Sequence, residues 1–122
     1  MGPDAPFVRI QLQVGHGGIV RHAEAVGHAG TEASGFNVAC AAVSVLLRSA
    51  YETFAQFNGV DVSGQAGAPG NLSFTVRRFS PESERLMRGA SDFLLVGLSG
   101  VEREYPGKIQ LEISINGGNY GS

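Results

Sequence analysis

The sequence predicts an α+β fold: a two-layer sandwich in which two helices cover one face of a mostly antiparallel sheet of four or five strands. Three observations predict it. Three runs alternate apolar and polar residues with period two, Val8 to Val14, Leu72 to Arg77 and Ile109 to Ile115. Two longer segments repeat apolar residues at spacings of three, four and seven, the pattern of helices lying on a sheet. The order along the chain is strand, strand, helix, one or two strands, helix, strand.

In the first strand Val8, Ile10, Leu12 and Val14 alternate with Arg9, Gln11 and Gln13. Gly15-His16-Gly17-Gly18 supplies a tight turn, and Ile19 to Val26 returns as the second strand of a hairpin. Ala29 to Phe36 is too interrupted by Gly30 and Gly35 to be regular. Asn37 is a good helix N-cap, and a helix over about 38–57 follows, its inner face formed by Val43, Leu46, Leu47, Ala50, Phe54 and Phe57. Asn58-Gly59 ends it. Val60 to Val62 predicts a short edge strand, and SGQAGAPG over 63–70 a loop. After the strand at 72–77, Ser80-Pro81-Glu82 opens a second helix, with Ser as cap and Pro in the first helical position. That helix runs to about Arg103 with Leu86, Ala90, Phe93, Leu94 and Val101 inward. Leu95, Val96 and Leu98 widen its apolar surface toward a second subunit. Pro106-Gly107 breaks the helix before the last strand. The 122 residues suit one domain, with 1–6 and 116–122 as flexible ends.

With 43% hydrophobic and 16% charged residues the chain is globular, and a net charge of −2 offers no electrostatic footprint for direct contact with nucleic acid. No membrane span or targeting segment is expected, and one cysteine implies no disulfide, so the expected compartment is the cytoplasm. His16 and His22 fall on a turn and a strand face, without further ligands spaced for a metal, so no metal site is expected.

Chemistry concentrates in Gly27 to Ser49, where the sole cysteine, Cys40, follows His28 across a short loop. With Asn37 as cap, Cys40 falls in the first helical turn, where unpaired N–H groups and the positive end of the macrodipole stabilise a thiolate. Amides near Asn37 to Ala41 would serve as oxyanion donors, and an imidazole would take the thiol proton. The competing reading makes Cys40 an inert core residue of the run ACAAV, and composition and spacing favour it, since free cysteine is among the most buried residue types. No third catalytic residue is assignable; Glu24 and Glu32 are candidates by proximity alone.

The segment GHAG, a short Gly-containing loop, and then a cysteine in CAAVS resemble the ribosomal-processing cysteine protease family Prp. The likeness continues through LLVGLSGVEREYPGKIQLEI, Leu94 to Ile113, and with the hairpin covers nearly the whole chain. The resemblance implies a cytoplasmic, homodimeric, cofactor-free endopeptidase that removes the N-terminal extension of a large-subunit ribosomal protein of the L-twenty-seven type. By the motif, Cys40 matches the nucleophile, His28 the catalytic histidine, Ser44 a serine one helical turn on, and Gly27 the glycine before the histidine. The family usually carries Asp where this chain has Asn37, which keeps a cap and removes a charge. Two further readings remain: a non-catalytic ribosome-associated binding module of the same fold, and a redox sensor, for which no resolving cysteine exists within the chain.

Overall fold

Alternation decides which face of each strand is buried, and the first strand obeys it strictly. In the computed structural model, which describes residues 7–27, 36–66 and 71–115, β1 (Val8–Val14) buries Val8, Ile10, Leu12 and Val14 and exposes the residues between them. A 3₁₀ turn at His16–Gly18, with Gly17 and Gly18 at positive φ, reverses the chain into β2 (Val20–Val26). Register shifts between Gln13 and Val14, so that Val14 pairs with Val20 and Gln13 with His22.

The five strands order as β3-β4-β2-β1-β5, with β3 spanning Asp61–Ala66, β4 Asn71–Arg78 and β5 Ile109–Ile115. All neighbours are antiparallel except β1 and β5, which run parallel. Two helices, α1 (Phe36–Gln56) and α2 (Glu84–Glu104), form the second layer. This is the α+β sandwich expected from the pattern. The core lies between the layers, where Ile10, Leu12, Val20, Phe74 and Val76 of the sheet meet Val43, Leu47, Phe54, Met87, Leu94 and Leu98 of the helices. Ala23 and Ala25 of β2 are also buried there, and both helices touch β2. α1 is long and apolar enough to cross a membrane by length and composition, yet Val43, Leu47 and Phe54 are spent on this core.

Four sequence expectations need correction. α1 begins at Phe36, so Asn37 lies inside its first turn instead of capping it, and Cys40 is the fifth helical residue. The segment expected as a loop contributes Ser63 to Ala66 to β3, which pairs with Leu72 to Thr75 of β4; strand pairing here needs only a neighbour with free backbone groups, not apolar alternation. Ser80 precedes a 3₁₀ turn, Pro81–Ser83, without a side-chain cap bond. Its hydroxyl, like that of Ser83, instead donates to the carbonyl of Asn58, at 3.0 and 2.6 Å. The inner stripe of α2 is Met87, Ser91, Leu94, Leu98 and Val101, while Leu86 and Phe93 face outward at 55% and 74% exposure. Ser91 explains that rotation: its Oγ accepts from the buried Val20 N–H at 2.9 Å, so a polar residue holds a core position. The expected tails, 1–6 and 116–122, lie outside the described residues.

Candidate active site

The end of the molecule that carries Cys40 follows from connectivity. α1 closes through Phe57 to Gly59 into the start of β3, whose first residue pairs with Arg78 at the close of β4. α1 therefore starts at the opposite edge of the sheet, where β3 ends and where Val26, the last residue of β2, pairs with Arg9 and Asn71. With a rise of about 1.5 Å per residue, Cys40 stands roughly 24 Å from the far end of α1, over that same edge. Gly27 and the turn bearing Cys40 are thus brought to one end of the sandwich. His28 and the loop that follows, including Glu32, lie outside the described residues.

Cys40 is a free thiol, half-buried and packed against the core cluster, neither sealed in it nor fully open. Because N–H groups of a helix bond to the carbonyl four residues back, the amides of Cys40 and Ala41 are committed to Phe36 and Asn37. The amides with no carbonyl four residues back inside the described helix are the first four, Phe36 to Ala39. The oxyanion donors expected at Asn37 to Ala41 therefore shift toward the helix start. As the fifth helical residue Cys40 stands just past the first turn, where the dipole weakens. Ser44 is half-buried one turn further along the same flank.

Glu24 does not join this group. It lies between Ala23 and Ala25, which face the helices, so it points to the opposite, open face of the sheet. There its Oε1 is 3.3 Å from His22 Nε2, and His22 Nδ1 is 2.8 Å from Thr75 Oγ1. His16 is exposed in the hairpin turn. Among the described residues no three His, Cys, Asp or Glu side chains gather into a metal site.

Sequence reasoning missed a groove two to three helical turns along α1 from the cysteine. The flank of α1 that carries Cys40 overhangs β3 and β4 and encloses a cavity of about 230 Å³ lined by Leu47, Arg48, Tyr51, Gly64, Leu72 and Phe74 among others. Gly64 forms part of its floor: a Cβ there would fall 2.8 Å from Tyr51 Cε1, so only glycine admits the ring at this spot. Tyr51 also meets Phe74 at 6.3 Å between ring centroids. Nothing in the sequence pairs Tyr51 with Gly64; only the length of β3 brings them together.

The model of the family described as cysteine protease Prp matches residues 7–110, from before β1 into β5 and across Gly27 and Cys40. The chain belongs to the Prp family. It is therefore a cysteine protease by family. Solved structures similar to it include the following three. SMU.848 from Streptococcus mutans has a TM-score of 0.73 at 20% identity, over 95% of this chain and 100% of that one. The essential ribosomal processing protease Prp from S. aureus, in complex with a substrate peptide, has 0.72 at 18%, over 88% and 100%. The same S. aureus protease with a covalently linked product peptide has 0.69 at 19%, over 88% and 100%. At such identities the likeness is one of fold. No curated protein matches the chain.

Proposed function

We propose that this protein is an endopeptidase that removes the N-terminal extension of a large-subunit ribosomal protein of the L-twenty-seven type, with Cys40 as nucleophile and His28 as base. One observation carries the reading: a chain belonging to a cysteine protease family contains one cysteine, Cys40. Its support is twofold. Cys40 is half-exposed at the sheet edge where β2 delivers Gly27, the residue before His28, and the S. aureus neighbour is a ribosomal processing protease bound to a substrate peptide.

In the proposed mechanism His28 takes the thiol proton, and the thiolate attacks the scissile carbonyl to form a tetrahedral intermediate. Its oxyanion is held by free amides at the start of α1. Collapse breaks the C–N bond as the imidazolium protonates the leaving amine. Water, deprotonated by His28, then releases the acyl group and restores the thiol. Gly27, with no side chain, leaves room for the substrate backbone beside the base. Asn37 and Ser44 flank the nucleophile in helix order and support the peptide's position. The reaction draws on no cofactor and belongs in the cytoplasm, where ribosomal proteins are made. A homodimer, with the seam on the outward apolar residues of α2, Leu86, Phe93 and Val96, completes the proposal.

The test incubates the protein with an N-terminally extended ribosomal protein and reads the products by mass spectrometry. Wild type clips once, while Cys40→Ala and His28→Ala do not. Clipping by Cys40→Ala overturns the assignment. Tight binding with no clipping by wild type leaves a ribosome-associated binding module in its place.

A further inference from the structure

We infer that the groove under Tyr51 is a specificity subsite for the peptide substrate, taking one apolar side chain about three to five residues from the scissile bond. The inference rests on the proteolytic reading above and adds to it the place where the substrate chain runs. Cys40, Ser44, Leu47 and Tyr51 stand at i, i+4, i+7 and i+11 of α1, a single stripe along one flank of the helix. That stripe leads from the thiol directly into the 230 Å³ groove. Leu47 lies roughly 10 Å and Tyr51 roughly 16 Å beyond Cys40 along the axis. An extended peptide advances about 3.3 Å per residue, so a chain anchored at Cys40 reaches the groove after three to five residues.

The lining fits such an occupant. Leu47 and Phe74 are buried at 0% and 2% exposure, and Tyr51 and Leu72 half-buried, giving an apolar floor. Arg48 and Glu52 stand exposed at the rim, where a substrate's polar groups remain in water. β3 is the terminal strand of the described sheet, so its outer backbone edge is open to a peptide main chain. Main-chain hydrogen bonds at Ser63 to Gln65 would hold the peptide without regard to sequence, and the groove would supply the selectivity. Gly64 sets the groove's shape, since a methyl at that position drives the Tyr51 ring out of its seat.

The experiment measures kcat/KM for peptides spanning the cleavage site, each with one position within five residues of the scissile bond changed to leucine or to asparagine. Wild type is expected to favour leucine at one position, three to five residues away, by about tenfold and through KM. In Tyr51→Ala and Gly64→Ala this preference falls to about twofold or less, while kcat for the best peptide and the alkylation rate of Cys40 stay near wild type; Tyr51→Phe retains it. Preference unchanged in both variants overturns the inference and leaves proteolysis standing. The same peptides are titrated onto Cys40→Ala by calorimetry. Binding with this preference but no cleavage by wild type keeps the groove and removes the catalytic reading; neither binding nor cleavage removes both. Thermal melts identify a misfolded variant, and the other variant then decides.

Discussion

Replacing Ser91 by alanine removes the acceptor of a buried backbone N–H, that of Val20, held at 2.9 Å by a side chain with no solvent exposure. Val20 pairs with Val14 where the register of β1 and β2 shifts, and β4 pairs with β2 only from His22 onward, so in this structure the N–H goes to the hydroxyl. An orphaned buried donor costs about 1–3 kcal/mol. The deleted oxygen leaves only a small void, so the cost arises from the lost bond and not from packing. For a chain of this size each kcal/mol lowers the melting midpoint by about 3–5 °C, giving a drop of roughly 5–10 °C for a mid-range loss. Urea unfolding of wild type, Ser91→Ala and Ser91→Thr is the assay, with amide exchange at Val20 followed by NMR. Threonine keeps the hydroxyl and should recover much of the loss. A change under about 0.3 kcal/mol in Ser91→Ala, or an unaltered Val20 amide, would refute the reasoning.

Phe54→Ala should be the most damaging helix substitution. Phe54 is fully buried and stacks edge-on to Phe74 at 5.6 Å, so a loss of about 3–5 kcal/mol is expected, read as failure to accumulate soluble protein at 37 °C. Arg88→Ala breaks an exposed i,i+4 pair with Glu84 at 3.0 Å. It should cost only about 0.3–0.5 kcal/mol, a difference that vanishes in thermal melts at high salt. Phe93→Ser, at 74% exposure, should change monomer stability by no more than about 0.5 kcal/mol while shifting the sedimentation expected of the proposed dimer to that of a monomer. An unchanged sedimentation coefficient would move the seam elsewhere.

The strands whose one face is buried were readable from the chain, because alternation at Val8 to Val14 and Leu72 to Val76 is the direct consequence of a one-sided sheet. The inner stripe of α1 was readable for the same reason. β3 beyond Val62 was not, since Ser63-Gly64-Gln65 pairs by backbone alone at the sheet's margin and carries no apolar rhythm. The buried face of α2 lies about one residue from the one its apolar spacing predicts. Reading for apolar positions passes over Ser91, whose burial depends on a donor 71 residues away, and promotes Phe93, which no sheet residue covers. For the site, the identity of the thiol followed from its being alone, and its place on α1 from the apolar stripe around it. The start of α1 at Phe36 decides which amides lack a partner within the helix, and Asn37 reads as a cap although the helix already includes it. The groove at Tyr51 is tertiary throughout.

The parallel pairing of β1 with β5 joins residues about a hundred positions apart, Val8 with Ile109 and Val14 with Ile115. During synthesis the hairpin of β1 and β2 can close early, but one margin of β1 stays raw until the final strand leaves the ribosome. Such distant contacts slow folding. A chain stopped after Glu104 would display the unsatisfied rim of Val8 to Val14, a ready template for aggregation, so completion of the enzyme waits on the last seven residues of its sheet.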